Sequence, residues 1–180
     1  RRLFTSLENM VLVTPSAWLA DYVRNSYLKN YPIRVIHNGI DLDVFKPVEK
    51  SKYCRSIEGK KVILGVANMW SQNKGLGDFI ALNRKIDHSK YQIVLVGLNS
   101  RQLKNIDSDI LALGRLNDSY EMARLYSAAD VFVNPTYQDN FPSTNIEAIA
   151  CGVPVVTYKT GGSVESVSEE TGRIVERGDI

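Results

Sequence analysis

The sequence predicts a doubly wound α/β domain built on a parallel sheet, and three observations lead there. From Lys61 to the end of the chain, short apolar runs rich in β-branched residues alternate with longer helical patterns. Parallel strands can be joined only by crossovers, so this alternation reads as successive βαβ units. The runs, such as YQIVLVG (91–97) and VPVVTY (153–158), are apolar almost throughout rather than at every second residue, which marks strands covered on both faces. Finally, residues 131–158 form one complete strand, loop, helix and strand unit. Its crossover must be right-handed, and its loop opens at the carboxyl edge of the sheet, where open α/β folds bind ligands.

Taken in order, NMVLVT (Asn9 to Thr14) reads as a strand ending at Pro15. Ser16 then caps a helix, SAWLADYVRNSYL, whose Trp18, Leu19, Tyr22 and Val23 fall on one apolar face. Ile33 to Ile36 is a short strand, Asn38-Gly39 a turn signal, and the Asp-rich tail to Pro47 a linker. Residues 1–50 therefore have the pattern of the last βαβ unit of a preceding domain followed by a crossing linker, with the main domain over 51–180. In that domain KVILGVA (61–67) is a strand, KGLGDFIALNRKI (74–86) a helix, and YQIVLVG a strand. SRQLKNI (100–106) is a short helix, ILAL (110–113) a strand, and DSYEMARLYSAA a helix capped by Asp118. VFVNP (131–135) is a strand, NIEAIACG a helix that stops at Gly152 and Pro154, and TGRIV (171–175) a last short strand. There is no internal repeat.

Bulk properties exclude several functions. The 180 residues are 44% apolar and 23% charged, an ordinary globular composition with material for one well-buried core. The net charge is +2, with Lys and Arg spread along the chain and no basic stripe interleaved with aromatics, so nucleic acid is not the partner. No apolar run reaches the ~20 residues of a membrane span, and no signal segment opens the chain. Cys54 and Cys151 lack metal spacing and read as reduced thiols of a cytosolic protein. His37 and His88 are the two histidines, and without a CxxC or HExxH pattern a metal site is not expected. The start at Arg1 and the end at Ile180 have the look of a piece of something longer.

The parallel topology should gather four strand-to-helix loops at one edge: 68–77, 97–100, 114–118 and 136–144. Lys74-Gly75-Leu76-Gly77 stands at a predicted helix start, where unpaired N–H groups and about half a positive charge favour a diphosphate. A solvated loop explains the same four residues. The segment is no Walker A motif, and the dinucleotide GxGxxG is absent too. Gly161-Gly162-Ser163 is a second place where backbone could approach an anion, though a plain turn is the preferred reading. Asp139 in the loop and Glu147 in the first turn of the helix can reach one crevice from two sides and accept bonds from paired hydroxyls, as a sugar or ribose offers. Two blander readings stand beside this one: Asp139 as a turn former, and Thr144 to Glu147 as a capping box in which Glu147 satisfies the N–H of Thr144. No nucleophile and base constellation is present.

Taken together, HNGIDLDVFKP, GVANMWSQNKGLGDFIAL, LGRLNDSYEMARLYSAADVFVNP, DNFPSTNIEAIACGVPVV and TGGSVE resemble the family 4 retaining glycosyltransferases of the GT-B fold. The likeness runs from about Asn38 to the C-terminus, and its strongest part is the E-x7-E signature, matched by Asp139 and Glu147. The resemblance implies a Rossmann-like C-terminal half of a GT-B enzyme with a remnant of the N-terminal, acceptor-side domain. It implies that Glu147 holds the ribose hydroxyls of a nucleotide-sugar and Asp139 hydroxyls of the transferred sugar. Lys74 then meets the diphosphate, Leu116 and Asp118 lie beside the base, and Phe141, Ser143 and Thr144 complete the donor site. Transfer would be metal-independent and retaining, with no cofactor; the UDP- or GDP-linked sugar is the substrate and a glycan or glycolipid the acceptor. Family habit implies the bacterial cytoplasm, with peripheral association at the inner face of the membrane open to the full-length protein. A chain with only the tail of the acceptor domain would bind donor and transfer nothing.

Three departures qualify the match. Asp139 stands where the family usually has Glu, Val66 to Trp70 lack the usual Gly-Arg before the Lys, and Pro142 removes a backbone N–H near the sugar. The rival readings are another GT-B enzyme, a sugar phosphorylase or nucleotide-sugar epimerase, and a non-catalytic nucleotide-binding α/β module.

Overall fold

The computed structural model describes residues 2–49 and 59–180. The expected domain boundary at 50/51 and Cys54 lie outside the described residues. Helix α1 (Arg2–Thr5) precedes β1 (Leu12–Thr14), α2 (Ala17–Arg24) and β2 (Ile33–Val35). The two strands pair in parallel with Leu12 opposite Ile33, so the expected βαβ unit is present. Ser16 caps α2 as its sequence predicts, its Oγ accepting from the Leu19 N–H at 3.1 Å. The helix is shorter than expected, and its buried residue is Ala20 rather than the aromatic face, since Tyr22 is 62% exposed. A sheet of two strands offers surface for only one narrow stripe of the helix.

The remaining strands, β3 (Lys61–Val66), β4 (Tyr91–Val96), β5 (Leu111–Leu113), β6 (Val131–Asn134), β7 (Val155–Tyr158) and β8 (Gly172–Val175), form a six-stranded sheet in the order β5-β4-β3-β6-β7-β8. Every pairing is parallel. Helices α3 (Leu76–Asn83), α4 (Ser100–Asn105), α5 (Ser119–Ala128) and α6 (Ser143–Ala150) make the crossovers, joined by 3-10 turns at Gln72–Lys74 and Ser163–Ser166. Alternate residues of the strands feed two cores. Val62, Leu64, Val94 and Val155 pack with Tyr126 and Ala148. Ile93, Leu95 and Val133 pack with Trp70 and Phe79. Both faces are thus covered, which is why the strand sequences are apolar throughout. Among the described residues no helix is long and apolar enough to cross a membrane.

Strand order fixes where a ligand can sit. The chain runs outward from β3 to β4 and β5, then returns to β6 on the other side, so the switch point lies between β3 and β6. Here β3 pairs with β4 over all six residues but with β6 only through Ile63 and Leu64. Beyond Leu64 the two strands part, and the loops after them face each other across the crevice.

The small sheet is tied to that rim. The carboxylate of Glu165 accepts from the N–H groups of both Ala17 and Trp18 at 2.8 Å, filling the N-terminus of α2. The His37 ring stacks on Phe141 with centroids 4.6 Å apart, and Asn38 Nδ2 donates to the Phe141 carbonyl at 3.2 Å.

Candidate functional site

The loops after β3 and β6 are stitched together by backbone. The Tyr137 N–H donates to the Asn73 carbonyl at 2.8 Å, and Gly75 holds a left-handed φ of 74° with the Pro135 carbonyl 2.3 Å from where a Cβ would stand. Only glycine fits that position. The register brings Lys74 to Asp139, Nζ to Oδ2 at 2.6 Å, with side chains 37% and 19% exposed. The Gly161-Gly162 pair serves the same loop from the other side. A Cβ at Gly162 would lie 1.7 Å from the Asn140 carbonyl, and the Gly162 N–H donates to the Asp139 carbonyl at 3.0 Å. The close approach there is to the 139–140 backbone, which is what the turn reading of these glycines expects.

Helix α6 starts at Ser143, with Pro142 in the cap position and no side chain capping it. Glu147 is therefore in its second turn, not its first, and the capping-box reading is corrected: Thr144 lies inside the helix rather than at its cap, and the carboxylate bonds elsewhere. Its Oε2 instead accepts from the Tyr126 hydroxyl of α5 at 2.9 Å. The buried amide of Asn145 sets the start of α6, accepting from Asn134 of β6 at 2.8 Å and donating to Ser166 at 2.9 Å.

Between these elements lies a cleft with two lobes. The larger, about 370 Å³, is lined by Lys74, Asp139, Phe141, Asn38, Asn68 and Met69 among others. The smaller, about 200 Å³, is lined by Glu147, Leu116, Arg115, Phe45 and Gly97 among others. Val66, Ala67, Asn68, Ser143 and Thr144 line both, so the lobes are continuous along the carboxyl ends of β3 and β6. The uncapped N-terminus of α6 stands where they meet.

Of the expected site residues, Lys74, Asp139, Phe141, Ser143, Thr144, Glu147 and Leu116 face this cleft. Asp118 does not. Its carboxylate accepts from the Tyr120 N–H at 2.9 Å and caps α5, the role its place before a helix foretold, and it is absent from the lining. The helix terminus offered to the cleft is also corrected: Lys74 sits in the 3-10 turn before α3, while Gly77 and Asp78 face a separate hollow beside Tyr137. Met69, 72% exposed in the large lobe, and Arg115 in the small one bear on the missing Gly-Arg; the basic residues lining the cleft are Lys74 and Arg115. Sequence reasoning missed Tyr126, whose place in a helical apolar pattern reads as plain core. It also passed over Asn38 and Phe45, in a segment that reads as linker.

An open parallel sheet with an elongated cleft at its switch point, floored by strand ends and walled by one helix N-terminus, is the C-terminal domain of a GT-B enzyme. The chain belongs to the group 1 glycosyl transferases, whose family profile matches residues 60–180. It is 30% identical over 176 residues to the UDP-Gal:alpha-D-GlcNAc-diphosphoundecaprenol alpha-1,3-galactosyltransferase of Escherichia coli, a match covering 88% of this chain and 45% of that protein. The sucrose-phosphate synthase structure from Thermosynechococcus elongatus superposes with a TM-score of 0.77 at 26% identity, over 94% of this chain and 46% of that one. The C-terminal domain of a group 1 glycosyl transferase from Francisella tularensis matches with a TM-score of 0.60 at 24% identity, over 77% of this chain and 80% of that domain. The chain spans less than half the length of the curated relatives it matches.

Proposed function

We propose that this chain is the donor-binding half of a retaining, sugar-nucleotide-dependent glycosyltransferase, with residues 51–180 as the donor domain and 1–50 as the tail of the acceptor side. The observation that carries the reading is the convergence of Lys74, Asp139 and Glu147, from three separate elements, on one cleft with the open N-terminus of α6 between them. The small lobe takes the nucleoside, with Leu116 against the base and Glu147 accepting from the two ribose hydroxyls. The diphosphate lies at the junction, where the Ser143 and Thr144 N–H groups and the Lys74 ammonium stabilise the charge it gains as the glycosidic bond breaks. The sugar occupies the large lobe with its hydroxyls on Asp139. The donor is UDP- or GDP-linked, and the E. coli relative supports a hexose passed to a polyprenyl-linked glycan.

Titration calorimetry of the protein with UDP, GDP and ADP tests the reading. UDP or GDP should bind saturably, and no binding of any of the three at millimolar concentration would sink it. Glu147→Ala removes two charge-assisted bonds of about 1.5 to 3 kcal/mol each, so nucleotide affinity should fall about a hundredfold or more with the fold retained. Unchanged affinity would take the ribose away from Glu147.

A further inference from the structure

A carboxylate on the wall of an open cleft has several places to turn. Glu147 is half-buried on α6 and could fold along its helix or swing into solvent, and in either pose no oxygen of it would be held toward the small lobe. What holds it is a group on the neighbouring helix. Tyr126 is completely buried, and its hydroxyl donates to Glu147 Oε2 at 2.9 Å. A buried phenol needs an acceptor, and here the acceptor is a side chain of the cleft rather than a core carbonyl.

The Tyr126 ring cannot follow Glu147 if the carboxylate moves. It is set edge-on against Phe132 of β6 at 5.5 Å and against Phe45 at 6.2 Å, and Phe45 itself lines the small lobe. The hydroxyl is therefore a fixed point. An ionised carboxylate has two oxygens and about four acceptor directions, of which this bond uses one. We propose that Tyr126 is the positioning residue of the nucleotide site: by anchoring Oε2 of Glu147 to the core it presents the free oxygen to the ribose diol of a nucleoside diphosphate. This rests on the reading of Glu147 as the ribose-binding residue. Burial and the Glu147 charge push the Tyr126 phenol well above its ordinary value of 10.0, so it stays a donor at neutral pH. A donor that lost its proton would repel the group it positions.

Tyr126→Phe keeps the ring and removes only the anchor. Its binding is compared with wild type by titration calorimetry against UDP and GDP, each as the ribonucleotide and as the 2′,3′-dideoxynucleotide, at a temperature where circular dichroism shows the variant folded. The ribonucleotide that wild type binds should weaken about tenfold in the variant, while its dideoxy counterpart, lacking the diol, should bind both proteins alike. In a Glu147→Gln background the same substitution should cost little more. A core tyrosine with no positioning role would leave both forms unchanged or weaken them equally, and either result overturns the proposal. Failure of wild type to bind any ribonucleotide overturns the donor-site reading itself, a separate outcome from selective loss failing to appear in the variant.

Discussion

The Lys74 ammonium is engaged by Asp139 at 2.6 Å and is only partly exposed. An ammonium has three donors, so a diphosphate can take a second without displacing the carboxylate. The short side chain of Asp139 keeps its carboxylate within that reach. Lys74→Met should weaken UDP or GDP about 10- to 100-fold, one charge-assisted bond at about 1.5 to 3 kcal/mol. The unphosphorylated nucleoside should bind as before, and calorimetry with both ligands separates the cases; equal diphosphate affinity would remove Lys74 from the phosphate site. Asp118 and Glu147 show where single residues are readable. Asp118 precedes a helix and caps it. Glu147 fits a capping box by spacing, yet the true helix start one residue before Thr144 leaves it free to face α5.

At the scale of the element, α6 decides the shape of the cleft, and its position depends on a buried polar bridge. Asn145 joins Asn134 of β6 to Ser166 of the following 3-10 turn through two hydrogen bonds, one from each end of its amide. Asn145→Ala leaves the buried Asn134 amide without its acceptor, while the half-buried Ser166 hydroxyl keeps its bond to the Ser163 carbonyl, a cost of about 1 to 3 kcal/mol. Urea denaturation measures it, and a loss below about 0.5 kcal/mol, the scale of an ordinary surface substitution, would show that the bridge does not hold the helix. Elements of this sheet were legible because the inner strands are apolar almost throughout and each helix is bounded by a cap or a glycine. Which loops meet was not, because strand order is a long-range property: nothing local says that β3 sits between β4 and β6. Tyr126 was illegible for a related reason, since one hydroxyl in an apolar helix stripe does not announce what it faces. Asn38 and Phe45 belong to a segment whose partners lie about a hundred residues away, at Phe141 and Tyr126.

For the whole molecule, three buried side chains that titrate at alkaline pH impose a common limit. Burial, with the Glu147 charge adding to it, pushes the Cys151 thiol from its ordinary 9.0 up to about 11. Burial and the nearby Asp78 carboxylate push the Tyr158 phenol from 10.0 up to about 12. Tyr126 moves in the same direction. All three are neutral when protonated, so a raised value means that the folded chain keeps a proton which the unfolded chain has already released. Below about pH 9 both states hold it and the contribution to stability is complete. Between 9 and 11 for Cys151, and between 10 and 12 for Tyr158, the unfolded state binds fewer protons and stability falls as pH rises, by about 1.4 kcal/mol per pH unit for each proton of difference. The urea midpoint should therefore be level from pH 7 to about 8.5 and drop progressively from pH 9 to 11. Cys151→Ala should remove the earliest part of that decline, because its proton is the first to differ. A midpoint that stays level to pH 11 in the unmodified protein would mean these groups ionise in place, and that the layer of α5 and α6 behind the small lobe admits water.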